Sequence, residues 1–268
     1  MNNKDIIGYI KLFLFDMDGT LYIGNRLFDF TIELLETIKK SGKKYMFMTN
    51  NSSKSVADYI KKLHGLGIQA EYGDFITSSQ ATARYLSQNC PDDNLYVCGT
   101  QSLKDELRRE GFLVTDKIDD VNCIVMGFDT ELTFKKLEDV CKILLSRDVR
   151  YIATNPDLVC PTEYGSVPDC GSVCEMIYNA TGKRPIVIGK PQAAMPLIAM
   201  KMMGCDASET AVIGDRIYTD IKSGIAAGAL SILVMSGETT EQILAESKDK
   251  PSLVLSSAKE ILDILKKA

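Results

Sequence analysis

The chain has 268 residues, 45% hydrophobic and 25% charged, a balance typical of a soluble globular protein with room for one large or two ordinary domains. Lys and Arg (31) against Asp and Glu (36) leave a net charge of −5, which argues against a nucleic-acid partner or an anionic membrane surface. The opening residues lack the h-region and small-residue cleavage site of a signal peptide, and the apolar run Ile6–Phe15 is too short to span a bilayer, so a cytoplasmic location is expected.

In chain order, the first element is the uninterrupted apolar run Leu12–Phe15, read as a buried strand ended by the turn Gly19-Thr20. Asp16 and Asp18 stand at its carboxyl end. Two carboxylates this close are costly unless a cation offsets them, a bound metal ion above all. A helix follows at Thr31–Lys40, then a strand at Tyr45–Met48 and a helix at Ser55–Leu66. Between that strand and helix lie Thr49, Asn50, Asn51, Ser52 and Ser53, a run of hydroxyl and amide donors suited to an anion. Helix capping accounts for one or two of them, not for five. His64 is the only histidine and falls where a cationic or polar side chain suits a helix C-terminus. A His-rich zinc site is therefore excluded, and proton transfer falls to carboxylates, lysine or water.

A second series begins near Pro91: strand Leu95–Cys98, helix Leu103–Glu110, strand Cys123–Met126, helix Phe134–Leu145 and strand Tyr151–Ala153. Residues 154–171 read as one long irregular stretch with three prolines, either a ligand-contacting or gating loop or a plain surface insertion. The third series runs through strand Ile186–Ile188, helix Ala193–Met203, strand Ala211–Ile213, helix Thr219–Ala227, strand Ser231–Val234 and helix Thr240–Ser247. Ser252–Leu255 and the helical pattern Ala258–Lys267 close it. Alternating strands and helices argue for parallel sheet covered by helices. The eight cysteines form no Cys-x-x-Cys pair, and Cys98 and Cys123 sit within apolar strands, as reduced structural thiols would.

Two further polar clusters belong to the third series. Gly189-Lys190-Pro191 follows an apolar strand, and Gly214-Asp215 leads through Thr219 to Asp220 at a strand-to-helix turn. In an open parallel sheet, ligands bind beyond the carboxyl ends of the strands. Were the four clusters to share that edge, three acids, a lysine and a Thr/Asn pair would converge. Oxygen ligands without His or Cys select Mg²⁺, and a lysine with neutral donors facing it describes a phosphate pocket. The odd chemistry falls in the first and third series, which suggests a core domain interrupted by an inserted one.

Asp16-x-Asp18-Gly19-Thr20, Thr49-Asn50-Asn51-Ser52, Gly189-Lys190-Pro191 and Gly214-Asp215-x-x-x-Thr219-Asp220 resemble, in order and separation, the four motifs of haloacid dehalogenase-like phosphatases. Gly127-Phe128-Asp129 and Ala153-Thr154-Asn155-Pro156-Asp157 resemble the NagD and p-nitrophenyl phosphatase branch. The resemblance spans essentially the whole chain. It implies a Rossmann-like α/β core with parallel sheet, residues 1–79 and 185–268, and a large α/β cap over 80–184. It also implies Asp16 as nucleophile and Asp18 as general acid and base. Thr49, Asn50 and Lys190 would hold the phosphoryl group. Asp16, Asp215 and the main-chain carbonyl of Asp18 would bind Mg²⁺, and Asp220 would orient Lys190 or the metal site.

The implied activity is Mg²⁺-dependent hydrolysis of a small phosphorylated metabolite, a sugar phosphate or nucleoside monophosphate, bound between core and cap. A homodimer through the cap is among the partners the resemblance allows. A phosphomutase and a non-catalytic module that merely accepts or binds phosphate are the alternatives. Where many relatives have a Gly-rich turn in the cap, this chain reads Val167-Pro168-Asp169-Cys170-Gly171-Ser172. Asp169 there would meet a sugar hydroxyl or a cationic group, or else serve the start of the next helix; Cys170 would face substrate or be structural.

Overall fold

The computed structural model describes residues 3–162 and 164–267. Contacts divide the chain into two units. Met1–Thr49, Ile60–Ile76 and Lys190–Ala268 form the first, and Asn50–Tyr59 with Thr77–Gly189 form the second. The family resemblance implies core–cap boundaries at 79/80 and 184/185.

The first unit begins with β1 (Leu12–Phe15), the small hairpin of β2 (Tyr22–Ile23) and β3 (Arg26–Leu27), then β4 (Lys44–Thr49) and β5 (Phe75–Thr77). The second contains β6 (Leu95–Cys98), β7 (Cys123–Met126), β8 (Arg150–Ala153), β9 (Val159–Thr162), β10 (Gly165–Pro168) and β11 (Ile186–Val187). The chain then returns to the first unit with β12 (Thr210–Gly214), β13 (Leu230–Val234) and β14 (Leu253–Leu255).

Six strands form one sheet in the order β14-β13-β12-β1-β4-β5. β1 lies in its interior, and all four of its side chains are fully buried. A strand covered on both faces needs an unbroken apolar run, which is why this segment does not alternate. Burial of each such side chain is worth about 2 kcal/mol. β1 pairs in parallel with β12 and β4, Phe15 lying opposite both Ile213 and Phe47. That register brings Asp16, Thr49 and Asp215, the residues ending or following these strands, to one edge of the sheet. Helix Thr31–Lys40 turns Leu34, Leu35 and Ile38 inward and places Lys39 and Lys40 in its last turn. His64 ends helix Val56–Gly65 with its Nε2 3.0 Å from the Ala70 carbonyl, a local contact.

The second unit carries the four-stranded sheet β11-β8-β7-β6, parallel throughout, over a core that includes Cys98, Ile124, Met126, Ile143 and Ile177. Three expectations are corrected here. The stretch 154–171 is not irregular: β9 and β10 pair as an antiparallel hairpin, and helix Cys170–Thr181 starts directly after it. The strand expected at Ile186–Ile188 does not belong to the core sheet; β11 pairs with β8. The helix expected at Thr219–Ala227 opens as a π-helix, Ile217–Ile221, before the α-helix Lys222–Ala226. Helix Ser78–Asn89 had no counterpart in the sequence reading, although Thr77 and Gln80 form a capping box at its start. All eight cysteines are free, with Cys98 and Cys123 buried. No helix among the described residues is long and apolar enough to cross a membrane.

Candidate active site

β1 delivers Asp16 to the sheet edge, where the Asp16 main-chain N–H continues the ladder to the Ile213 carbonyl at 2.8 Å. Lys190 is almost completely buried, and its Nζ lies 2.7 Å from Asp16 Oδ1, 2.6 Å from Asp220 Oδ1 and 3.2 Å from the Met48 carbonyl. Burial by itself would lower the pKa of this ammonium; the Asp16 and Asp220 charges outweigh that and hold it above the ordinary lysine value. Lys190 opens the last segment of the first unit, and its side chain meets the acids of that same unit.

Asp16, Asp215 and Asp220 each offer a carboxylate oxygen, and the three atoms lie within 4.8 Å of one another. Burial first, then Asp16 and Asp220, push the Asp215 carboxyl up to about 7. Burial also raises Asp220, to about 6, against the pull of Lys190. Such crowding calls for another positive charge. Asp220 already spends Oδ1 on Lys190 and accepts the Arg216 main-chain N–H at Oδ2, 3.1 Å away. Asp215 is different: Oδ2 accepts the Glu238 main-chain N–H at 2.6 Å, while Oδ1 is buried with no hydrogen-bond partner. An orphaned carboxylate oxygen in an all-oxygen cluster fits a hard divalent cation, with Asp16 and Asp215 as the carboxylates to hold it.

Asp18 contributes no carboxylate to this cluster; its side chain is exposed. Partial desolvation, and after it the neighbouring Asp16 charge, raise its pKa, while Lys62, seated over the Tyr22 ring at 4.0 Å, opposes the rise. Thr49 is buried at the end of β4, one residue beyond the carbonyl that Lys190 meets. Asn50 belongs to the second unit, where its Nδ2 donates to Asp157 at 3.1 Å and its carbonyl accepts from Ser78 and Asn155. Asp169 is buried at the N-cap of helix Cys170–Thr181, accepting from the Cys170 N–H, and Cys170 is buried 4.0 Å from Cys174 Sγ. For both residues these are local structural contacts.

The loop 236–239 after β13 joins the site without a sequence motif to mark it. Ser236 Oγ donates to the Gly19 carbonyl at 2.7 Å, and Thr239 meets the Asp215 carbonyl through its Oγ1 at 2.5 Å and its N–H at 3.2 Å. A Cβ on Gly237 would lie 2.0 Å from Asp215 Oδ2, and one on Gly19 would lie 2.5 Å from the same atom. Gly19 also has φ +81°, a conformation that favours glycine. The signal available in the sequence was a glycine just past a strand two places from β1.

Residues 13–113 match the family model for haloacid dehalogenase-like hydrolases, and residues 187–261 match a second model of the same kind. Among curated proteins, the chain is 34% identical to the 5'-nucleotidase YutF of Bacillus subtilis, over 93% of this chain and 96% of that one. It is 33% identical to an acid sugar phosphatase of Staphylococcus haemolyticus, over 90% and 91%. The structure is similar to that of a 4-nitrophenylphosphatase from Thermotoga maritima, with a TM-score of 0.91, 36% identity and 98% of each chain covered.

Proposed function

The chain belongs to the haloacid dehalogenase-like hydrolases, in the NagD and p-nitrophenyl phosphatase branch, and is a phosphatase; on that premise we propose that it hydrolyses small phosphomonoesters with Mg²⁺ as cofactor and Asp16 as nucleophile. Sugar phosphates and nucleoside monophosphates are the substrate classes, in keeping with the names of its relatives. Residues 80–184 are the inserted cap in this reading. The observation that carries it is the buried Lys190 ammonium between Asp16 and Asp220, in a cluster with Asp215, whose Oδ1 is buried with no hydrogen-bond partner.

A carboxylate oxygen of Asp16 attacks phosphorus, the ester P–O bond breaks, and the departing oxygen takes a proton from the Asp18 carboxyl. In the second half, Asp18 as carboxylate removes a proton from water as the water oxygen attacks phosphorus. The Asp16–phosphorus bond then breaks, inorganic phosphate leaves, and both aspartates return to their starting protonation. The raised pKa of Asp18 suits the proton-donating role. Thr49, Asn50 and Lys190 are the phosphate-binding set, the lysine balancing charge on the transferring group. Asp16, Asp215 and the main-chain carbonyl of Asp18 would hold Mg²⁺, which when bound supplies charge neutralisation and orientation for the phosphoryl oxygens.

Two assays test this. Asp16→Asn folds normally but loses turnover of an aryl phosphate; undiminished turnover would discard the nucleophile. Across a panel of sugar phosphates and nucleoside monophosphates, wild-type protein releases inorganic phosphate with Mg²⁺ and not with chelator present. Equal release in both conditions would discard the metal.

A further inference from the structure

The loop that grips Asp215 is itself held from outside. Glu238 Oε2 lies 2.8 Å from Arg216 Nε, and Glu238 Oε1 accepts the Tyr218 hydroxyl at 2.9 Å. Both donors belong to the turn that begins with Asp215, at the next residue and the third one on. Glu238 therefore meets that turn at both ends of its own structure: its main-chain N–H on Asp215 Oδ2, its carboxylate on Arg216 and Tyr218. Thr239 adds two bonds to the Asp215 carbonyl, and Gly237 lets the backbone lie against the carboxylate with no side chain between.

An isolated ion pair at a partly exposed position contributes little. This one differs in geometry. One carboxylate accepts from two donors on the same turn, and Arg216 is mostly buried, its side chain 19% exposed. Fixing the loop decides which Asp215 oxygen is consumed by the Glu238 N–H and which is left for a ligand. Partners of this kind, one bond removed from a metal, commonly set its affinity by a factor of about 10–100.

We propose that Glu238 is a positioning residue for the divalent cation: its side chain, locked by Arg216 and Tyr218, keeps its own N–H on Asp215 Oδ2 and so presents Oδ1 to the metal. Glu238 is not among the clustered carboxylates. The proposal rests on Asp215 being a metal carboxylate, and the test separates the two claims.

Isothermal titration of the metal-free full chain with Mg²⁺, without substrate, gives dissociation constants for wild type, Glu238→Ala, Glu238→Gln, Tyr218→Phe and Asp215→Asn. Glu238→Ala should weaken Mg²⁺ binding about tenfold or more. Glu238→Gln keeps a carbonyl acceptor and should recover part of that loss. Tyr218→Phe should weaken binding several-fold, and adding it to Glu238→Ala should cost nothing more, because the lock is already open. Turnover at saturating Mg²⁺ should return toward the wild-type kcat in Glu238→Ala, as a displaced affinity requires. If Asp215→Asn abolishes binding while Glu238→Ala stays within twofold of wild type, the lock is wrong and the metal site stands. If Asp215→Asn leaves binding unchanged, the underlying metal reading fails. Should Glu238→Ala not fold, the partly exposed Tyr218→Phe decides, and an unchanged constant there overturns the proposal.

Discussion

Burying the Lys190 ammonium costs several kcal/mol by itself, and the carboxylates at 2.6 and 2.7 Å are what offset it. Lys190→Met would leave Asp16, Asp215 and Asp220 facing one another without the ammonium that bridges two of them. The expected loss is about 3 kcal/mol in urea unfolding of the metal-free protein, partly recovered by added Mg²⁺. Stability unaffected by either change would contradict the charge balance described here. Gly237→Ala should keep the fold yet weaken Mg²⁺ binding, since its Cβ would fall 2.0 Å from Asp215 Oδ2; titration with the metal reads this directly. Asp16, Lys190, Asp215 and Asp220, which the structure brings together, were legible in the sequence because acids and a lysine beside apolar strands conflict locally with burial. Gly237 and Glu238 were not, because one acts on Asp215 by lacking a side chain and the other through its main-chain N–H, and residue type advertises neither role.

At the scale of elements, unbroken apolar runs such as Leu12–Phe15 and Cys123–Met126 announced themselves because both faces of those strands are covered. Helix Ser78–Asn89 lacked that signal: its buried face is Ser78, Ser79, Ala81, Thr82, Ala83 and Leu86, mostly small or polar. The hairpin of β9 and β10 was hidden by Pro161 and Pro168 and by its largely exposed side chains. Helix Gln101–Arg109 carries a further element that the sequence pattern concealed. It buries Glu106 beside Leu103 and Leu107, with both carboxylate oxygens lacking hydrogen-bond partners. Burial pushes this carboxyl up to about 7 from 4.5, against the pull of Arg109. The folded chain thus binds the proton more tightly than the unfolded one. The stabilising contribution is complete below pH 4.5 and is lost as pH rises through about 7. Glu106→Gln removes this dependence, so its stability advantage over wild type should grow from about pH 5 to about pH 8, reaching up to about 3 kcal/mol. Denaturant melts at both pH values check it; an advantage independent of pH would refute it.

Across the whole molecule, the strand order β12-β1-β4 puts residues separated by most of the chain on one sheet edge, with the second unit's sheet lying between them in sequence. That interruption was legible because the chemically unusual residues cluster in the first and third series and not the second. What pattern could not assign was β11, an apolar strand too short to declare which sheet it joins. Chelator should abolish phosphate release and Mg²⁺ restore it, while the fold persists, because the strands pair through main-chain bonds and bury apolar side chains. The central claim is that Asp16 takes up the phosphoryl group. Rapid mixing of Mg²⁺-loaded protein with a phosphomonoester, followed by acid quench and mass mapping of peptides, tests it most directly. A phosphoryl group should be found on Asp16 and decay at the rate of turnover; an unmodified Asp16 throughout, with Asp16→Asn still releasing phosphate at the wild-type rate, would contradict it.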